Sequence, residues 1–272
     1  MPRFPASDGV QLFYDVLGTG DPLVVLGGGP GMDVRYLGDL GGLSGGRRLI
    51  RLDGRAAGRS EVPADRSTVS FVRQAGDVEA LREHLGLDRF DLLAHSAGSL
   101  TAQEYAARRP GRVRRLILVT PVGRTGRDID LADVAAVRAT RSAEPWYPQA
   151  AAAAREVAAG GQGPFLQARL IPFHWHRWTP ERRHEYVAGH STSLPWLRDA
   201  FYAGAEAACP SPVNAPVLVV AGASDGMIGV APARTVAAAH PGARLEVMPA
   251  SGHRPWVEEP AAFRELVDAF LG

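Results

Sequence analysis

The chain has 272 residues, 46% of them hydrophobic and 22% charged, which excludes a disordered or fibrous protein and suits one large α/β domain or one carrying an inserted lid. Its 30 basic and 29 acidic residues leave a net charge of +1, so no global field gathers nucleic acid or an anionic membrane surface. Cys209 is the only cysteine, which rules out an internal disulfide and a cysteine-built metal site. Met1-Pro2-Arg3-Phe4-Pro5 lacks the apolar run of a signal peptide, and no stretch approaches the roughly 18 apolar residues of a membrane span; a cytoplasmic protein is expected.

In chain order, residues 10–17 alternate loosely between turn-forming pairs and suggest an edge strand. Residues 23–26 form a short continuous apolar run that stops at Gly27-Gly28-Gly29-Pro30-Gly31. Such runs suit strands buried on both faces of a parallel sheet, and 48–52, 90–94, 116–119 and 217–221 read the same way, with Arg244–Met248 as a further strand. Helical periodicity covers 71–85, 99–109, 231–240 and Pro260–Leu271, the second and third ending at Pro-Gly pairs. Strand and helix alternate, which predicts a mostly parallel, eight-stranded sheet covered on both sides. The stretch 123–208 breaks the rhythm. It is Ala-rich, its aromatics concentrate between Trp146 and Tyr202, and it predicts a helical insertion between two core parts, 1–122 and 209–272.

Ala94-His95-Ser96-Ala97-Gly98 follows a buried strand and precedes a helix. That is the setting of a nucleophile elbow, G-x-S-x-G with Ala in the first place, where a sharp turn demands small flanking residues. Asp225 lies just past the strand 217–221, and His253 just past Arg244–Met248. The order Ser, Asp, His, all on strand ends at one edge of a sheet, is that of α/β-hydrolases. Ser96 would attack a carbonyl, His253 would take its proton, and Asp225 would hold the imidazole tautomer. An oxyanion hole needs two backbone N–H groups; Ala97 is expected to supply one and the glycine loop the other, with Gly29 the first choice and Gly28 the second. A phosphate-cradling reading of that loop fails, because it lacks the Lys-Ser/Thr of a P-loop and Met32 stands where G-x-G-x-x-G needs glycine.

Gly27-Gly28-Gly29-Pro30-Gly31 resembles the H-G-G-P-G loop of the prolyl iminopeptidase family of α/β-hydrolases. Asp53-Gly54-Arg55-Ala56-Ala57-Gly58-Arg59-Ser60 is similar to that family's D-x-R-G-x-G-x-S segment, and Gly252-His253-x-Pro255-x-x-Glu258-x-Pro260-x-x-Phe263 to its histidine segment. The resemblance implies an α/β-hydrolase fold with a helical cap between the sixth and seventh strands, no cofactor, and release of an N-terminal residue from small peptides or amides. Two departures stand out. Gly27 replaces the loop histidine, and the elbow differs from the family's Gly-Gly-Ser-Trp-Gly, being closer to esterases and C–C hydrolases. Family members hold the substrate's free amine with cap carboxylates, for which Glu181, Glu185, Asp199 and Glu206 are the possibilities here.

Trp175, Trp178, Glu185 and Tyr202 are the expected substrate contacts, although aromatics of a cap also serve simply to pack it onto the core. His174-x-His176, with His184 and His190, invites a metal, but H-E-x-x-H and well-spaced carboxylates are lacking and none is expected. The leading expectation is therefore a serine aminopeptidase or amidase acting on a small molecule or short peptide. The alternatives are an esterase, thioesterase or C–C bond hydrolase, and a non-catalytic ligand-binding protein on the same fold.

Overall fold

Period-two alternation explains why the strands read as unbroken apolar runs. In the computed structural model, which describes residues 2–188 and 194–272, successive side chains of each central strand enter opposite cores. Val24, Leu26, Leu92, Ala94, Leu116, Leu118, Val217 and Val219 join one buried cluster; Leu23, Val25, Leu93, Ile117, Val119, Leu218 and Val220 join the other. A strand flanked by two cores has no solvent face on which to place a polar residue.

The strands are β1 (Arg3–Pro5), β2 (Gln11–Leu17), β3 (Asp21–Leu26), β4 (Arg47–Asp53), β5 (Phe90–His95), β6 (Val113–Val119), β7 (Val217–Gly222) and β8 (Arg244–Met248). They form one sheet in the order β1-β2-β4-β3-β5-β6-β7-β8. β1–β2 and β2–β4 pair antiparallel, and every other pair is parallel. β1 is the strand that sequence reading missed: three residues, one of them a proline, are too few to show an alternation.

The helices are α1 (Phe71–His84), α2 (Gly98–Arg108), α3 (Leu131–Ala139), α4 (Tyr147–Ala158), α5 (Pro164–Leu170), α6 (Pro180–Ala188), α7 (Leu197–Tyr202), α8 (Ala231–Ala239), α9 (Pro255–Glu258) and α10 (Pro260–Leu271). One face of the sheet is covered by α1, α2 and α8 through residues such as Val78, Leu81, Tyr105 and Val236. The other is covered by α10 and the stretch 34–43 through Phe263, Val267, Leu37 and Leu40. Among the described residues, five helices, α3 to α7, lie between β6 and β7, and α7 docks on the core with Phe201 against Phe71 and Leu197 against Val69. No helix among the described residues is long and apolar enough to cross a membrane.

The segment after β4 is a brace. The Asp53 carboxylate, fully buried, accepts the Val34 and Arg59 amides and the Arg59 guanidinium. Ser60 Oγ donates to Asp53 O and accepts the Phe13 amide. Arg55 forms a two-pronged pair with Asp77, both bonds 2.7 Å long, and reaches Asp8 as well. Burial pushes the Asp77 pKa up while Arg55 opposes it, so removing the arginine strands a buried carboxylate. Arg55→Met should destabilise the fold by about 3–5 kcal/mol in urea unfolding, and Arg55→Met with Asp77→Leu should recover much of that loss.

His240, also buried, accepts the Val213 amide at Nδ1 and donates from Nε2 to Gln103 Oε1, a neutral tautomer held at both nitrogens. Burial lowers its pKa from 6.5 to about 4. The unfolded chain therefore binds the proton first as pH falls, and stability is lost between pH 6.5 and 4. His240→Gln should flatten that part of the urea midpoint–pH curve, where the histidine contributes up to about 3 kcal/mol.

Candidate active site

Four loops at the carboxyl ends of parallel strands meet: those after β3, β5, β7 and β8. Ser96 is the tip of the turn from β5 into α2 and has φ +52°. A non-glycine residue is held in that left-handed region at a cost of about 1–3 kcal/mol. Two contacts over-determine the turn. The Ser96 amide continues the ladder to Val119 O at 2.9 Å, and Gly98 lies so close to the Gly27 carbonyl that a Cβ would collide with it.

The structure brings the three expected side chains together. His253 Nε2 is 3.0 Å from Ser96 Oγ, and His253 Nδ1 is 2.6 Å from Asp225 Oδ2. A carboxylate can only accept, so Nδ1 carries the proton and Nε2 is free to accept from the serine hydroxyl. Asp225 is completely buried, and its other oxygen accepts the Met227 and Ile228 amides, which fixes the carboxylate plane.

The His253 loop is held from several sides. Its amide donates to His174 O at 2.7 Å, and its carbonyl accepts from His95 Nε2 at 3.0 Å and Thr120 Oγ1 at 3.2 Å. Gly252 packs so tightly on the His174 carbonyl that no side chain fits there. Glu258 accepts the Gly252, His176 and Arg177 amides, while Arg141 donates to the carbonyls of Trp175 and Ser224. Gly226 N–H bonds Phe173 O at 2.9 Å. The stretch 173–177 is thus stitched to both the aspartate loop and the histidine loop.

A second chain of bonds braces the glycine loop. His95 Nε2 faces a carbonyl and so carries the proton, leaving Nδ1 to accept from the Tyr36 hydroxyl at 2.6 Å; Tyr36 Oη accepts the Gly28 amide at 2.7 Å. Burial pushes the Tyr36 pKa up and the His95 pKa down, so both stay neutral through the physiological range. This corrects the expectation for Gly28, whose N–H is spent on Tyr36 and is unavailable to an oxyanion. The N–H groups of Gly29 and Ala97 donate to no backbone or side-chain acceptor among the described residues. Neither Tyr36 nor His95 stood out in the sequence, where a tyrosine in a loop and the variable residue of an elbow carry no signal.

Ser96 opens into a cavity of about 660 Å³ with Gly29, Pro30, His174, Tyr186 and Tyr202 in its wall. Of the four expected substrate contacts, only Tyr202 lines it. Trp175 is 1% exposed, wedged beneath the Arg254 and Arg182 guanidiniums, and Trp178 is half-buried away from the cavity wall. Glu185 pairs with Arg182 and Arg254 and faces a separate groove. Glu181, Asp199 and Glu206 are exposed and also outside the cavity. Most of the other aromatics pack on one another, as Trp146 and Tyr147 do on Phe173. His190 lies outside the described residues. Among those described, no three metal-binding side chains cluster.

Comparison with known proteins identifies the family of the fold. Proline iminopeptidase of Heyndrickxia coagulans is 32% identical over 108 residues, which is 40% of this chain; the match spans about two fifths (38%) of that curated relative. A proline iminopeptidase-related protein of Thermus thermophilus superposes with TM-score 0.72 at 27% identity over 99% of this chain and 96% of its own. Proline iminopeptidase of Mycobacterium smegmatis, at 24% identity over 99% and 97%, gives TM-score 0.77 and speaks for the fold alone. The family model described as alpha/beta hydrolase fold matches residues 21–260, and the chain belongs to that family of hydrolases.

Proposed function

We propose that the protein is a serine hydrolase that opens an ester or amide of a small substrate through an acyl-Ser96 intermediate. The hydrogen-bonded line Ser96–His253–Asp225 carries this reading. The Ser96 hydroxyl loses its proton to His253 Nε2 as Oγ bonds the carbonyl carbon. The oxygen that becomes negative is received by the Gly29 and Ala97 amides at the positive end of α2. The imidazolium returns its proton to the leaving oxygen or nitrogen, and water repeats the sequence to free the acid. Residues 123–208 act as the cap that closes the cavity over the sheet edge, while 1–122 and 209–272 form the core.

Likeness to proline iminopeptidases favours an aminopeptidase. One observation favours an esterase-like or simple amidase instead: among the described residues lining the cavity there is no carboxylate to receive a free α-amine. Aminoacyl arylamides assayed beside simple acyl esters decide between them, and a strict demand for the free amine would restore the peptidase.

A fluorophosphonate probe should label the wild-type chain and leave Ser96→Ala unlabelled, with kcat on a simple ester reduced at least about 10³-fold in that variant. Absence of Ser96-dependent labelling would favour a non-catalytic binding protein. Tyr36→Phe removes the hydroxyl that orders the Gly29 loop without touching the triad. It should lower kcat about tenfold while KM stays within about twofold, the signature of weakened transition-state binding. An unchanged kcat would make the Tyr36–His95 pair a packing feature only.

A further inference from the structure

The cavity next to Ser96 has a one-sided charge. Its wall includes Arg127, Arg138 and Arg198 and, among the described residues, no Asp or Glu; the stretch 189–193 contains neither. Many arginines of this fold are neutralised at close range, as Arg51 is by Asp15, Arg55 by Asp77, Arg59 by Asp53 and Arg82 by Glu79. The three in the cavity have no carboxylate within ion-pair distance among the described residues.

Arg138 is also held in place. Its Nε donates to Gly226 O at 2.7 Å and its guanidinium carbon lies 4.8 Å from the centre of the Phe173 ring. That leaves both terminal nitrogens without a described partner. The acid nearest in influence is Asp225, whose oxygens are already occupied by His253 and two backbone amides. Arg127 lies over Tyr202 at 5.7 Å, and Arg198 acts on it as a like charge. Arg138 is half-buried, and burial lowers its pKa, whereas Arg127 and Arg198 are more exposed and keep contact with solvent. Guanidinium groups remain charged there, and a planar anion answers them with paired N–H···O bonds.

We propose that the substrate carries a carboxylate, received by Arg138 and by the Arg127–Arg198 pair while Ser96 attacks its ester or amide carbonyl. This rests on the hydrolase reading above and names the class of substrate for that site. Apolar wall residues such as Val122, Val134 and Ile228 line the same cavity and suit the methylene chain of a short acid. An α-ammonium group would meet three like charges, so the same wall rejects the substrates of an aminopeptidase.

The test compares matched esters on the full chain: mono-4-nitrophenyl adipate against 4-nitrophenyl hexanoate for an acid on the acyl side, and 4-(butyryloxy)benzoate against phenyl butyrate for an acid on the leaving group. In at least one pair the acid-bearing ester should be favoured about tenfold in kcat/KM, and Arg138→Gln or Arg127→Gln with Arg198→Gln should each bring that ratio towards one. A wild-type ratio near one in both pairs, or a preference that survives both sets of substitutions, overturns the proposal. A second measurement needs no turnover: calorimetric binding of adipic acid monoanilide to Ser96→Ala should weaken about tenfold when either substitution is added. Arginine-dependent binding without hydrolysis by the wild type would uphold the anion site and remove the Ser96 reading. Binding indifferent to the arginines would remove the anion site and leave hydrolysis untouched.

Discussion

His253 can face Ser96 only because its own peptide is bonded on both sides. The amide goes to His174 O, the carbonyl receives His95 and Thr120, and Gly252 packs against the His174 backbone. Orientation of an imidazole by Asp225 alone would leave the ring free to move with its loop; these bonds remove that freedom. They also couple three distant parts of the chain, since the donors and acceptors come from the end of β5, the end of β6 and the stretch 173–177. Any proton transfer at Ser96 inherits its geometry from this arrangement.

The segment between β6 and β7 does more than connect two strands. Phe173, His174 and Trp175 offer backbone carbonyls to the Gly226 amide, the His253 amide and the Arg141 guanidinium, so the insertion holds the aspartate and histidine loops in register. Its aromatics serve that packing, which is why Trp175 is sealed beneath arginines instead of facing the cavity. The brace of the glycine loop follows the same economy. Gly27 supplies no imidazole, and Tyr36, itself bonded to His95, holds the Gly28 amide.

Charge divides the molecule into two regimes. In the brace after β4, arginines and carboxylates satisfy one another, Arg55 with Asp77 of α1 and Arg59 with Asp53. In the cavity the arginines are left without acids among the described residues. Arg127 and Arg198 are exposed and hydrated, while the half-buried Arg138 spends only its Nε on the protein, and this open donor set is the physical basis of the proposed anionic substrate.

The amino-acid sequence by itself determined the doubly covered parallel sheet, because strands buried on both faces must be continuously apolar and the helices between them must be amphipathic. It also determined that Ser96, Asp225 and His253 stand just beyond strand ends, since small residues and turn formers mark those ends locally. Only the tertiary structure decided that these three meet, that Gly28 is spent on Tyr36, that Trp175 and Glu185 turn away from the cavity, and that three arginines line it. Each of those depends on contacts between residues far apart in the chain, and a local pattern of residue types contains no information about which distant group will occupy a given hydrogen bond or share a given wall.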